Sequence, residues 1–460
     1  MKTNTQNSCK LDENAMDSTD RIREKSGNTI CIQAGVAHRE LSLPIDTPLA
    51  GYGKTRSAKG SHDPLMASIM VLNQMEEVIV IASLDVLAVD HLLIEAIQAA
   101  LDAQNFPART LIVHAIHTHS AMGGLLETRS GILKQAQYFA CKTDEKTIEA
   151  VAQSAGEAIL DAWNTMKDGR ILHVQSGYSL CKGLGSNRTD PSLPGNDALY
   201  ALQIETDAQK ALLVFFACHP TVLNASNVYG SADFYGAARK HLKEAGYDQV
   251  LFFNGACGDI STRYTRKASS FDEADRLGSI LASAVLDLSW NEQPVKPIEV
   301  FEKTYVLQSA RPKPVQEAQR RLEASQNHLN ELEQASVAGN PLDPLTLRLA
   351  AVKRDADQAR CIYAISYDGV PKREMNVTFV RWDAQTFVGL PCEIFSSLIS
   401  PFDSKRVHFV SCTNGYQLYL TDEKAWDDED YEACCSLFAR SQGEQLMDQI
   451  QKTMASKKRE

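Results

Sequence analysis

The sequence predicts an α/β fold on mixed sheets, with a helical hairpin inserted late in the chain. Three observations carry this. From about Thr29 onward, short apolar runs of strand length alternate with helical patterns, as expected where helices cover sheets. Apolar residues make up 44% and charged residues 23%, which excludes a disordered, collagenous or fibrous chain. Residues 312–362 differ from the rest: they are rich in Ala, Leu, Glu, Gln and Arg and almost lack strand character.

Taken in order, residues 1–28 are polar and without periodicity, and read as a disordered tail. Strand-like runs follow at 30–36, 66–72, 78–84, 110–116, 171–174, 199–204, 211–218, 249–253, 300–307, 376–382, 386–390 and 406–411. Helical periodicity marks 88–103, 146–166, 234–244, 273–290, 394–402 and 432–453. Between the ninth and tenth strands, PVQEAQRRLEASQNHLNELEQ and LTLRLAAVKRDADQARCIYA read as two helices joined at 339–344. Their narrow apolar stripe (Val315, Leu322, Leu329, Leu332) suits a hairpin packed on the domain, or an arm for homo-oligomer formation. The expected division is a tail at 1–28, a catalytic unit from 29–310 and 373–460, and a hairpin insertion at 311–372.

A formal net charge of −11 argues against nucleic acid as a partner, because nucleic acid rewards a basic face. The longest apolar stretch, VIVIASLDVLAV, is interrupted by Asp85 and falls short of the roughly 18 residues of a membrane span. The N-terminal residues lack an apolar signal core, so a cytoplasmic location is expected. The 11 cysteines include no Cys-x-x-Cys and are expected as reduced thiols. Cys434 and Cys435 are neighbours on a predicted helix and would point apart.

Chemistry-bearing residues gather at the ends of the strand runs. TLIVHAI ends in His117-Thr118-His119, and ALLVFFAC in His219-Pro220. QVLFF ends in Asn254–Ser261, TFVGL in Pro391-Cys392-Glu393, and RVHFVS in Cys412–Tyr416 with Tyr419 beyond. Ligands of open α/β sheets bind outside such carboxyl ends. In extended chain, residues i and i+2 share a face, so His117 and His119 converge on one metal or divide into ligand and acid/base. His114 has the opposite parity and reads as a packed core histidine. Gly123 and Gly124 would let backbone approach a ligand. His219 is either structural or a ligand aimed by Pro220. Glu393, on an apolar segment, needs a counter-charge or a metal. Asp259 is either a helix cap or part of a loop that faces an oxyanion, together with Ser261.

These motifs resemble the catalytic N-terminal domain of the neutral/alkaline non-lysosomal ceramidase family. The match runs in order through His117-Thr118-His119-Ser120 with Gly-Gly, Ser186-Asn187-Arg188, Phe216–Pro220, Gly258–Ser261, Pro391-Cys392-Glu393, Asn414–Thr421 and Tyr431-Glu432. The resemblance implies a metallohydrolase with one Zn2+ per chain, held by His117, His219, Glu393 and Tyr419. It implies catalytic roles for His119, Arg188, Ser261 and Tyr431, with Gly123, Gly124 and Asp259 near the substrate. The implied reaction is hydrolysis of an N-acylsphingosine amide by metal-activated water, placing the chain in sphingolipid metabolism. Zinc draws the pKa of bound water toward ~7. His119 would move the proton, Arg188 and Tyr431 would hold the carbonyl oxygen, and Ser261 would position water or substrate. The plainer readings are a carboxylate partner for Arg188 and a core position for Tyr431.

The sequence departs from the family at Gly-Asp-Ile-Ser-Thr, where the family has proline last. With about 30 residues between Tyr431 and Glu460, the family's immunoglobulin-like C-terminal domain is not expected. A smaller N-acyl compound is therefore as well supported as a lipid amide. The competing functions are a metal-dependent esterase, lactonase or phosphoesterase on the same fold, and a non-catalytic, metal-stabilised binding protein using the hairpin.

Overall fold

The computed structural model describes residues 32–456, apart from 54, 75–76, 108, 131, 168 and 338–342. The predicted tail at 1–28 lies outside the described residues. The first sheet runs in the order β1 (Ile32–Glu40), β2 (Met66–Gln74), β3 (Glu77–Leu84) and β4 (Arg109–Ala115), with α1 (His91–Asp102) between the last two. β1–β2–β3 are antiparallel and β3–β4 parallel, the register running from Val78↔Arg109 to Leu84↔Ala115. Asp90 caps α1 by accepting from the Leu92 amide, and Asp144 caps α2 (Glu145–Met166) through the Lys146 amide. Leu93, Ile97, Leu101, Ile148 and Ile159 point into the core under this sheet. Each such side chain contributes ~1.5–3 kcal/mol by leaving water.

The second sheet is built from β5 (Ile171–Leu180), β7 (Ala198–Thr206), β8 (Lys210–Phe216) and β9 (Gln249–Asn254), edged by β11 (Asn291–Gln293). Its one parallel pair is β8–β9. Two short strands, β6 (Ser186–Asn187) and β10 (Ile260–Ser261), form a separate antiparallel ladder. Helices α3 (Asp233–Glu244) and α4 (Phe271–Leu286) pack on each other. Ser270 caps α4 through the Glu273 amide.

The last sheet is β12 (Glu299–Gln308), β13 (Lys372–Trp382), β14 (Gln385–Gly389) and β16 (Val407–Val410), again closing on a parallel pair. Between β12 and β13, α5 (Val315–Val337) and α6 (Pro344–Ser366) pack against each other. α6 also packs on the short helix α7 (Tyr431–Cys435), which precedes α8 (Gln442–Ser456). Glu429 binds this hairpin to the loop before α7 through Arg360 at 3.0 Å and Arg321 at 3.2 Å. β15 (Glu393–Ile394) and β17 (Tyr419–Leu420) form a parallel two-residue ladder. The mixed sheets predicted from the sequence are thus present.

Two predicted helices are corrected. Residues 394–402 hold only a 3-10 turn, Ser396–Ile399, because the backbone before it is taken by long-range bonds. The Phe395 amide donates to Leu420, and the Ile394 amide to Ser411 Oγ. The continuous helix expected at 432–453 is broken between α7 and α8. There Leu437 O accepts from the Ala310 amide, and the Ala439 amide donates to Gln308, so this segment extends the end of β12. Nine cysteines are described and all are free. No helix among the described residues is long and apolar enough to cross a membrane.

Candidate metal centre and active-site cavity

The carboxyl ends of the parallel strands are stitched together by backbone bonds. Ala115 donates to Cys412, Cys412 to Cys392, and Ser411 to Asn254, which draws the ends of β4, β16, β14 and β9 into one region. His117 follows β4 with φ +71, so its backbone is left-handed rather than extended. The His-x-His pair therefore converges by a tight bend, not by the strand alternation expected. The two Nε2 atoms still lie 3.4 Å apart. His114 is a core histidine, as read: Nδ1 donates to Ser411 O at 2.9 Å and Nε2 accepts from the Asn254 amide at 3.0 Å.

Glu393 is the centre of the cluster and only 1% exposed. Its Oε2 stands 2.8 Å from His219 Nε2 and 3.3 Å from His117 Nε2. Its Oε1 accepts from the Tyr416 hydroxyl at 2.6 Å. The other ring nitrogens are committed: His117 Nδ1 donates to Leu87 O at 2.8 Å, and His219 Nδ1 to Cys257 O at 2.7 Å. These bonds fix both imidazoles with the Nε2 lone pair toward the carboxylate. Burial, then nearby Arg188, pulls His219 down to about 4, so it is neutral at neutral pH. Burial opposes ionisation of Glu393, but the facing histidines outweigh it and hold the carboxyl well below its usual range. Nε2 atoms this close to a buried, ionised carboxylate need a proton or a metal ion between them, because bare lone pairs would repel it. The donor set thus fits a metal ion.

His117, His119 and His219 also present ligand atoms all within 4.8 Å of one another. His119 differs from the other two, since its buried Nδ1 has no hydrogen-bond partner. Burial and the neighbouring His117 and His219 push it well below the ordinary imidazole range.

Arg188 follows β6. Its Nε stands 2.7 Å from Glu432 Oε1, and Nη2 donates to Gly258 O at 2.7 Å and to the Tyr419 hydroxyl at 3.1 Å. It has both the carboxylate partner of the plainer reading and a place in the cavity lining. Tyr431 is packed at the core edge, yet its hydroxyl meets that of Tyr138 at 3.2 Å and it lines the same cavity. That cavity, about 390 Å3, is also lined by His117, His119, Ser261, Glu393, Tyr416 and Tyr419. Ser261 Oγ accepts from the Arg263 amide at 3.2 Å.

Three expected substrate neighbours are placed elsewhere. The Gly123 amide donates to Pro48 and that of Gly124 to Ala140, and an added Cβ would strike Cys141 or Asp144. These glycines serve loop packing. Asp259 caps no helix. It accepts from Asn187 Nδ2 at 3.0 Å and from the Ser396 amide and hydroxyl, both at 2.7 Å, which ties the Gly258 loop to the segment after Glu393.

The sequence reading assigned no role to several residues found here. Gly51, at φ +105, passes so close to His119 that a Cβ would lie 2.5 Å from the histidine's own, so only glycine fits. Tyr52 stands edge-on to His119 with ring centres 5.0 Å apart. Buried Arg56 donates to His119 O at 2.8 Å and Asn227 O at 3.0 Å. The Gly51-Tyr52-Gly53 stretch was a visible signal, having glycines where no periodic element needs them. Arg348, which lines the cavity from α6, offered none.

Fold and site together define a mixed α/β protein with a buried histidine–carboxylate centre opening on a cavity. Residues 35–254 match the family model described as "Neutral/alkaline non-lysosomal ceramidase, N-terminal", which bears out the resemblance read from the motifs. Among solved structures, the fold is similar to neutral ceramidase from Pseudomonas aeruginosa. That match has TM-score 0.67 and 15% identity, covering 92% of this chain and 73% of the other. It is also similar to a ceramidase complexed with C2, with TM-score 0.66 and 14% identity over 91% of this chain and 74% of that one. No curated protein sequence matches the chain.

Proposed function

We propose that this protein is a zinc-dependent hydrolase that cleaves an amide bond in an N-acyl compound. The observation that carries the reading is the Glu393 carboxylate faced by two imidazole Nε2 atoms whose other nitrogens are already committed. His117, His219, Glu393 and Tyr419 would hold the ion. Tyr416 orients the carboxylate by donating to its far oxygen. When bound, zinc supplies Lewis acidity and an acidified water. His119, with a free Nδ1, takes a proton from the attacking water and returns it to the leaving amine. Arg188 and Tyr431 donate to the carbonyl oxygen as it becomes negative. Ser261 holds water or substrate in line. We further propose that residues 311–372 are an insertion in a catalytic unit formed by 29–310 and 373–460.

A second reading, favoured by the three mutually close histidine nitrogens, makes His119 a ligand and leaves Tyr419 to Arg188. Elemental analysis separates the two. The first expects about one zinc per chain, lost in His117→Ala and kept in His119→Ala, which loses only turnover. Loss of metal in both variants supports the second. Failure to take up any metal overturns both. Release of a free amine from N-acyl amides, ceramide included, tests the bond cleaved; cleavage of esters alone would overturn the amidase assignment.

A further inference from the structure

The cavity lining carries more positive charge than the proposed chemistry uses. Arg263, Arg266 and Arg348 all line it. Arg263 Nη1 donates to Arg188 O at 2.9 Å, Arg266 donates to Thr221 O, and Arg348 lies over the Tyr264 ring at 5.5 Å. Among the described residues none of the three forms an ion pair with a carboxylate. A guanidinium has five N–H donors in a rigid fork, so most of these donors remain for whatever enters.

Three of the four acidic groups lining the cavity pair elsewhere. Glu432 is committed to Arg188, and Glu393 to the histidine centre. Asp355 pairs with Arg354 at 2.8 Å. Asp430 forms no ion pair among the described residues, and burial, then Glu432 and Asp428, push its carboxyl up to about 7, which favours its neutral form. Burial, with Arg188 and Arg348 close by, draws Arg263 down to about 10 against the weaker opposing pull of Glu432 and Tyr264. Three cations gathered around one cavity repel each other, and an entering anion would relieve that repulsion.

We propose that Arg263, Arg266 and Arg348 form a binding site for an anionic group on the substrate, a carboxylate, sulfonate or phosphate near the amide to be cleaved. Planar, bidentate guanidinium recognition suits each of these groups. Arg263 follows Ser261 by two residues, so the cationic wall begins beside the proposed reaction centre. Arg348 comes from α6, which makes the inserted hairpin part of substrate selection. What happens to the ligand after it binds rests on the amidase reading above; its binding does not.

The test compares N-dodecanoylglycine with the neutral N-dodecanoylglycinamide on the zinc-loaded full chain, by calorimetric binding and by amine release. N-dodecanoyltaurine and N-dodecanoylphosphoethanolamine distinguish sulfonate and phosphate from carboxylate. Roughly tenfold tighter binding of one or more of the anions is expected, about the worth of one charge-assisted contact. That preference should fall toward unity in Arg348→Gln and in Arg266→Gln, and reverse in Arg348→Glu. Arg348 is half-exposed on a helix, so its variants should fold, and their melting temperatures check this. Equal binding of all anions and the glycinamide, or an unchanged preference in both glutamine variants, overturns the proposal. Preferred binding without cleavage would sink the amidase reading and keep the anion site. Cleavage of the glycinamide with no binding preference for any anion would do the reverse.

Discussion

Replacing Glu432 by glutamine removes one charge from a buried pair and keeps its shape. Arg188 and Glu432 side chains are 9% and 5% exposed, with Nε and Oε1 2.7 Å apart. Two unit charges about 4 Å apart interact by roughly 4 kcal/mol at an effective dielectric of ~20. Glutamine retains a carbonyl acceptor for Nε, so hydrogen bonding survives and charge compensation does not. Burial disfavours the guanidinium, and Tyr419, Glu432 and Glu393 together offset this. After the substitution the cation stays buried with less compensation. Glu432→Gln should therefore cost about 2–4 kcal/mol, and Glu432→Ala about 3–5 kcal/mol. Urea unfolding of each variant, completed as a double-mutant cycle with Arg188→Met, reads the coupling. A coupling of at least about 1.5 kcal/mol is expected, because Arg188→Met removes the stranded charge. A cost below ~0.5 kcal/mol for Glu432→Gln, with no coupling, would refute the view that Arg188 is held by this pair. Turnover should fall in parallel, since the same guanidinium donates to Tyr419 and Gly258.

Gly258→Ala should cost about 1–3 kcal/mol by overpacking and lower the zinc content. The new Cβ would lie 2.9 Å from the carbonyl oxygens of Glu393 and Ile394, which are backbone and cannot step aside; a normal melting temperature with full zinc would refute this. Asp430→Asn should stabilise the fold at pH 8 and have little effect below pH 4. Burial, then Glu432 and Asp428, push the Asp430 carboxyl up to about 7 from its ordinary value of 3.8. The folded chain holds this proton more tightly, so the wild type loses stability as pH rises through that window. After discounting for partial exposure, the gain at pH 8 should be on the order of 1 kcal/mol. Thermal melts at the two pH values measure it, and equal effects at both would contradict the assignment.

Much of the architecture was legible because burial imposes periodicity. The core strands β2, β3, β8 and β9 are apolar runs bounded by turns, and α1, α2 and α3 show the helical repeat. What failed was local pattern overruled by distant backbone. Residues 394–402 and 436–441 look helical in composition, but their amides and carbonyls are claimed by Leu420, Ser411, Ala310 and Gln308. No local window contains those partners, and a buried backbone group must be satisfied wherever the chain offers it one.

The candidate site divides along the same line. His117, His219 and Glu393 could be singled out because each follows an apolar strand run, and the ends of parallel neighbours meet in space, whereas the motif pointed to Tyr419 and gave no role to Tyr416, which donates to Glu393. The reason given for His117 and His119 was nevertheless wrong in detail. Alternation along a strand would place them on one face, whereas the chain reaches that result through a left-handed residue at His117. Gly51 then becomes understandable, because a bend that swings His119 inward brings its Cβ against the backbone of the 51–53 loop. Arg56, which donates to His119 O, secures the bend from the same loop. The residues that hold the chemistry in place thus lie about sixty positions before it, and only the fold shows that they act on it. Arg348 extends this to substrate choice. On α6 it reads as one polar position among many, and it gains meaning only where the helix meets the cavity beside Arg263 and Arg266.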